Sequence, residues 1–464
     1  MSQNSFFRKK ITWILIAYGL FQIAFITYPP LDAAHNWRQT VTAMIARNMV
    51  QQNGSLLYPE VDYLENGNGI IATEFPFMQG CISVCIKLFG FQHWYGRLVN
   101  LIAVMTAYLA LYFLIKRYSS ESMAVYSVLG LMFSLWFVFG RDIMPDTFSV
   151  SLVIVSLWFF SEYMEKGNYW SLFIGSVLLS LGVLSKIPAL VPVASLLFFL
   201  LGNYPIQKKV LLCFAVILSL MPVYWWYFKW VPHLISLNQK PLFFPRSLRE
   251  GFFEIMEYKS AVIEQFTFHT FFAFSGFILA VGGVVLLIKK HLKIELLVLV
   301  ALSFTMILFI FKTGNVFPRH SYYMVPFAPV MAVLLGYLLH NIPHKWAIGL
   351  LAVFIIESVA NQHHDFLRRP TREYLLNLEE MANGFSDRNM KIVCNGGENP
   401  QLIYFINRRG WSVETSTITN KSLKNWMDKD AQFLFIDKTK GVVEETILFP
   451  KIISTKEVDV YRLK

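Results

Sequence analysis

The chain has 464 residues, 55% of them hydrophobic, 16% aromatic and only 15% charged. Soluble domains carry about 25% charged residues, so this composition excludes a soluble globular protein over most of the length. The net charge of +11 does not point to nucleic acid, because much of the basic excess sits in short loops between apolar blocks, where it reports membrane topology.

The apolar blocks run from position 11 to about position 360 and then stop. The opening "MSQNSFFRKK" mimics a signal peptide. However, the block behind it is about as long as a full span needs and no small-residue cleavage site follows, so it reads as a retained first helix. Candidate spans follow at 11–28, 97–115, 122–140, 147–163, 170–185, 187–203, 209–228, 271–288, 294–311, 322–340 and 346–361. A further apolar stretch, "FPFMQGCISVCIKLFG" (75–90), is too short: about 15 residues of helix reach roughly 22 Å, against a hydrocarbon core of about 30 Å. Its Gln79, Ser83 and Lys87 recur every four residues as a polar stripe. It reads as a helix lying in the interface.

Charge tests that count independently. With eleven spans and a cytoplasmic N-terminus, the inside pieces carry Arg8, Lys9 and Lys10; Lys116 and Arg117; Lys166; Lys208 and Lys209; Lys289, Lys290 and Lys293; and Lys345. Every short loop then obeys the positive-inside rule. The reading is a multi-pass protein of the plasma (inner) membrane. Two outer loops, 29–96 and 229–270, belong to a transmembrane domain at 1–363, and an extracytoplasmic domain follows at 364–464. In the first loop, "WRQTVTAMIARNM" places Trp37, Val41, Met44, Ile45 and Asn48 at helical spacing, a second interfacial helix with Trp37 suited to the head-group level.

The last hundred residues change character. "KIVCN" and "AQFLFID" read as buried strands, "PQLIYFINRR" as an amphipathic helix and "DVYRL" as a last strand, giving a small α/β domain. "CNGGENP" is a tight glycine turn without the spacing of a dinucleotide fingerprint. The four cysteines, Cys81, Cys85, Cys213 and Cys394, form neither a disulfide framework nor a zinc pattern. In "NQHHDF", adjacent His363 and His364 do not share a helical face. No metal and no cofactor are expected.

The polar residues at helix ends gather on the outer side: Asp32, His35 and Arg38 after span one; Glu74 before the interfacial helix; Arg97 opening span two; Arg141, Asp142 and Asp146 between spans three and four; Lys186 between five and six; Arg319, His320, Tyr322 and Tyr323 between nine and ten. A charged site at the membrane–water boundary suits a lipid-anchored charged substrate. Arg and Lys hold a phosphate there, and a carboxylate takes the proton of an attacking acceptor. The departing phosphate needs only cationic stabilisation. Asp32 also suits the N-cap of the helix behind it, Asp146 a cap of its span, and Lys186 a snorkelling position.

Five stretches, in register, resemble the GT-C glycosyltransferases, in the branch of the protein O-mannosyltransferases and lipid A aminoarabinose transferases. They are "PLDAAHNWRQTVTAMIARNM", "TEFPFMQGCISVCIKLFG", "YGRLVNL", "IMPDTFSV" and "PRHSYYMVPFAPV", and the resemblance runs in order over most of residues 8–340. The resemblance implies a mainly α, polytopic GT-C fold and a hexosyl- or pentosyl-type transferase. Such an enzyme moves a sugar from a polyprenyl-phosphate carrier, with inversion, to a lipid, glycan or protein acceptor. It implies Asp32 as base and Glu74 and Asp146 as further acids. Arg38, Arg97, Lys186, Arg319, His320 and Tyr322 are the donor-phosphate candidates. The family's Glu-Lys-Pro-Pro has Phe75 in place of its lysine, so that phosphate contact falls to Arg38 or Lys186. A second acid often found after the base is Ala33 here. Two other readings compete: a flippase of lipid-linked sugars, which asks for a charged midplane path, and an O-antigen ligase or polymerase using diphosphate-linked donors.

Overall fold

The computed structural model describes residues 3–31, 35–64, 67–238, 245–367 and 370–464. The chain divides into two compact units, one made of Met1–Thr27, Gly96–Trp230 and Phe243–Phe366, the other of Tyr28–Tyr95, Val231–Leu242 and Leu367–Lys464.

The first unit is helical. Each of the eleven apolar stretches picked out in the sequence contains a helix. Among the described residues five helices are long and apolar enough to cross a membrane: Tyr95–Tyr118, Pro145–Lys166, Ile206–Leu237, Lys293–Arg319 and His344–Phe366. A sixth counts if Lys259–His269 and Phe274–Lys289, bent by 90° against each other, form one span. Shorter apolar helices occupy Ile11–Ala24, Glu121–Met132, Tyr169–Ser185, Ile187–Leu201 and Ala328–His340.

Local chemistry explains these boundaries. Gly167, at φ 70°, ends Pro145–Lys166. Asn168 then starts Tyr169–Ser185 by accepting the Trp170 N–H, so two antiparallel helices meet across a two-residue turn. Pro188 and Pro192 lie in the segment after Lys186, which runs as a 3-10 helix over Ile187–Leu196 before becoming α-helical; a proline inside a helix removes one backbone donor. The helix Ile206–Trp225 has 20 residues, about 30 Å and so one hydrocarbon thickness. Its C-terminal end is marked by stacked rings, Tyr224 on Phe228 and Trp225 on Trp230, each pair with centroids 5.1 Å apart. Such aromatic clusters suit the head-group level.

Lipid-facing and interior helices differ plainly. Ile206, Val210, Phe214 and Ile217 are exposed along one helix, as are Val300, Phe304 and Ile307 along another. By contrast, 78% of the Pro145–Lys166 window is buried. Interior contacts use small residues, as helix pairs in membranes do. Ser156 Oγ donates to the Gly175 carbonyl at 2.7 Å. A Cβ on Gly283 would lie 2.1 Å from the Leu334 carbonyl oxygen, so the helices Phe274–Lys289 and Ala328–His340 touch backbone to backbone.

The second unit is α/β. Its strands are β1 (Lys391–Cys394), β2 (Gly410–Ser412), β3 (Ala431–Asp437), β4 (Lys451–Ser454) and β5 (Val458–Arg462), in the sheet order β2-β1-β3-β5-β4. The β2-β1-β3 portion is parallel and the β4–β5 hairpin adds antiparallel to β3. The strands expected at "KIVCN", "AQFLFID" and "DVYRL" are β1, β3 and β5, and "PQLIYFINRR" holds the helix Gln401–Ile406.

The segment between the first two apolar stretches shares this unit's core. Its backbone extends the sheet, with Leu64 N–H to Gly410 O at 2.7 Å and Gly410 N–H to Asp62 O at 2.9 Å. The helix Asn36–Gln51 is buried from Arg38 to Met49, on every face rather than on one stripe. That is possible because Arg47 is paired: Nη2 reaches Asp62 Oδ2 at 2.6 Å and Nη1 the Tyr404 carbonyl at 2.9 Å. Asn48 Nδ2 donates to the other Asp62 oxygen at 2.9 Å. Trp37 Nε1 donates to the Glu398 carbonyl at 2.8 Å. The 13-residue helix Phe77–Phe89 is about 20 Å long, too short to span.

Replacing Gly283 by Val forces the two helices apart. An overpacked contact costs about 1–3 kcal/mol, so the detergent-solubilised G283V protein should melt several degrees below wild type in a thermal-shift assay. An unchanged Tm would show that the contact is not tight.

Candidate active site

Within the helical unit the polar residues meet where helices end. Asp146 lies in the first turn of Pro145–Lys166, with Pro145 opening the helix; the positive end of the helix dipole favours an anion there. Lys186 sits at the break between Tyr169–Ser185 and the 3-10 segment behind it. Its Nζ lies 3.1 Å from Asp146 Oδ1 and 3.2 Å from Oδ2. The side chains are 15% and 5% exposed, so this is a buried pair that one partner cannot leave without stranding the other.

Tyr322 and His320 complete the cluster. The Lys186 ammonium lies 5.5 Å from the Tyr322 ring centroid, within cation–π range. The His320 ring stacks on Tyr322 with centroids 5.0 Å apart and planes 20° from parallel. Burial pushes the His320 pKa below its ordinary 6.5, and the cationic Lys186 adds to that, while Asp146 opposes it and Arg319 reinforces it. His320 is therefore a neutral imidazole at pH 7. Arg319 is exposed on the same turn and has no carboxylate partner among the described residues.

The turn that carries these groups is braced. Gln265 Nε2 donates to the Pro318 carbonyl at 2.9 Å, and Glu254 Oε2 accepts the Asn315 N–H at 2.8 Å. Both come from the 229–270 segment. On the other side, Arg97 and Asp142 form a fully buried ion pair, Nη1 to Oδ1 at 3.0 Å. Asn100 Nδ2 donates to the Phe139 and Asp142 carbonyls at 2.9 and 2.8 Å and to Thr147 Oγ1 at 2.9 Å. Arg97 thus holds the 139–147 turn that presents Asp146. Arg141 is equally buried, donating to the Asp365 carbonyl at 2.8 Å with its guanidinium 4.2 Å from the Phe366 ring centroid.

In the second unit, Arg38 pairs with Glu74, both about one-tenth exposed, and Thr73 Oγ1 donates to Glu74 Oε2 at 2.7 Å. Asp32 lies outside the described residues. The helix behind it starts at Asn36 with His35, at φ 49°, in the N-cap position.

The structure brings together Asp146, Lys186, His320 and Tyr322 in one unit, and Arg38 and Glu74 in the other. Arg97 pairs with Asp142. Asn100, Gln265 and Glu254 were not picked out from the sequence. Asn100 left a signal: an Asn three residues after Arg97 on an apolar helix lies on the same face. Among the described residues no group of three or more His, Cys, Asp or Glu is placed to hold a metal ion.

Comparison with known proteins follows this geometry. Residues 75–227 match the family model described as dolichyl-phosphate-mannose-protein mannosyltransferase. No curated protein matches the chain. Among solved structures it is similar to ArnT from Cupriavidus metallidurans in the apo state, with a TM-score of 0.67 at 12% identity over 98% of both chains. The chain has the GT-C glycosyltransferase fold. The same ArnT bound to undecaprenyl phosphate superposes with a TM-score of 0.65 at 12% identity, again over 98% of both chains. The apo Archaeoglobus fulgidus oligosaccharyltransferase matches with a TM-score of 0.60 at 12% identity, covering 92% of this chain and 69% of that one. The family match falls on the segment that begins at Phe75 and contains Arg97, Asp146 and Lys186.

The depressed His320 pKa has a measurable sign. The unfolded chain binds a proton near pH 6.5 that the folded site refuses, so stability falls as pH drops through and below that value. His320→Gln removes this contribution. Melting curves from pH 7.5 to 5 should show the variant gaining on wild type as pH falls; parallel curves would place His320 in water instead.

Proposed function

We propose that this chain transfers a sugar from a polyprenyl-phosphate carrier to an acceptor at the outer face of the membrane, inverting the anomeric centre. The observation that supports it most is the Lys186 ammonium, held at the end of apolar helices by Asp146 and the Tyr322 face. That is the place and the charge a lipid-anchored phosphate needs. The likeness to ArnT bound to undecaprenyl phosphate agrees with it.

Each residue then has a chemical task. Lys186, Arg319, Arg38 and the hydroxyl of Tyr322 hold the donor phosphate by charge and hydrogen bonds. Neutral His320 adds a donor N–H to that phosphate. The acceptor's hydroxyl or amine attacks the anomeric carbon from the side opposite the phosphate, and Asp32 takes its proton. The C–O bond to phosphate breaks with its electron pair on the phosphate oxygen, where the cations stabilise the charge. Asp146 fixes Lys186 in place, and Arg97 acts through the turn it braces. Glu74, already holding Arg38, contacts sugar or acceptor.

The same reading sets the topology. The N-terminus lies in the cytoplasm with Lys116, Lys166, Lys208 and Lys290, and the C-terminal α/β domain lies outside. Impermeant maleimide should label Lys421→Cys in the α/β domain of intact cells, and Lys166→Cys only after permeabilisation. The reverse pattern would invert the protein.

The reaction is tested with purified protein, a panel of polyprenyl-phosphate sugars and crude cell-envelope acceptor, reading release of polyprenyl phosphate. Wild type should consume one donor. Asp32→Asn should lose about 100-fold or more, as removal of a general base does, and Lys186→Gln should raise KM for the donor. No release from any donor of the panel by wild type would sink the transferase reading, and full activity of Asp32→Asn would remove Asp32 as the base.

A further inference from the structure

At the end of the helical unit remote from Asp146 and Lys186 lies a cavity of about 410 Å3. Its walls are mostly apolar side chains from eight helical segments, among them Leu111, Ile154, Phe199, Leu302 and Val333. Ile154 stands eight residues beyond Asp146, so the cavity begins about 12 Å along that helix from the charged cluster. Its other end is polar: Tyr118, Ser119, Glu295 and Tyr337 line it. The Tyr337 hydroxyl is buried and makes no hydrogen bond to the described residues.

The mouth beside Tyr337 is basic. The Lys290 ammonium lies 5.8 Å from the Tyr337 ring centroid, and Lys289 and Lys293 are exposed on the same turn. None of these three lysines has a carboxylate partner within 4.0 Å among the described residues. Glu295 is the one acid in the lining and offsets at most one of them. The cluster Lys116–Glu121 and Arg117–Glu162 nearby is already paired.

We propose that this cavity binds one acyl chain of an anionic phospholipid from the leaflet at that end, with the head group against Lys289, Lys290 and Lys293 and the Tyr337 hydroxyl donating to its phosphate or ester oxygens. The inference needs only that the helices span a membrane and is independent of the reaction proposed above. Three observations carry it. Beyond its polar end the walls are apolar apart from Ser195, and an empty apolar void forfeits the dispersion contacts of its lining. The depth fits: from Glu295 to Leu302 the lining covers seven residues of helix, about 10 Å, inside the half-thickness of roughly 15 Å that one leaflet provides. A long polyprenyl chain needs more. The charge fits as well, because basic pockets between helices attract anionic head groups, at about 1 kcal/mol per Lys near the surface.

Native mass spectrometry of the full-length protein in mild detergent, with phosphatidylglycerol or phosphatidylcholine of identical chains added, tests this. Wild type should retain one phosphatidylglycerol, bound about tenfold more tightly than phosphatidylcholine, the ratio that 1.4 kcal/mol of head-group attraction gives. Val333→Trp, which places an indole in the cavity, should lose the adduct; if that variant does not fold, Leu299→Phe serves in its place. The triple exchange of Lys289, Lys290 and Lys293 to Gln should keep a lipid but abolish the preference. Equal retention of the two lipids by wild type, retention of neither, a filled variant that still holds phosphatidylglycerol, or displacement of the adduct by polyprenyl phosphate would each overturn the proposal.

Discussion

A charge placed among apolar helices persists only where an opposite charge and a helix end meet it. That constraint organises the helical unit. Asp146 opens one helix, Lys186 closes another, and the pair sits where both helices stop. Arg97 and Asp142 obey the same rule one turn away, with Asn100 satisfying the carbonyls that the turn leaves over. Moving either pair toward a helix centre would strand it in hydrocarbon, where ionisable groups are expensive. The charged cluster is therefore at one end of the bundle because no other place tolerates it.

The α/β unit solves the opposite problem. Its sheet is small, and its parallel strands β1 and β3 need cover. The segment that follows the first apolar helix supplies part of it, through a helix buried on all faces and a backbone segment that extends the sheet beside β2. The cost is a buried guanidinium, Arg47, and the structure meets that cost with Asp62 and the Tyr404 carbonyl together. Removing one partner would leave the other charge without compensation.

Much of this was legible in the sequence, because a long apolar run and a basic loop carry their own physics. The helices Tyr95–Tyr118 and Pro145–Lys166 end at Lys and Gly signals visible in the chain, and β1, β3 and β5 follow from short apolar runs beside turns. Asp146, Lys186, His320 and Tyr322 were visible as polar residues at helix ends. What the sequence did not reveal is which of them touch. Arg97 reads like the other cations until Asp142 is seen opposite it, and Gln265 looks like a loop residue until its amide is found on Pro318. The helix Asn36–Gln51 carries a stripe of apolar residues, but its polar faces are buried too. Burial of Arg47 depends on Tyr404, more than three hundred residues away, and no local pattern encodes that.

That separation in sequence bears on how the protein is made. The α/β unit combines residues near the start of the chain with its last hundred. The buried helix that follows the first span must wait, during synthesis, until every later helix has been inserted before Tyr404 arrives to complete the Arg47 pocket. Until then its apolar residues lack their partners. The α/β domain is thus less an appendage than the closing half of a core begun at residue 28, and a ribosome that stops early leaves the first half uncovered.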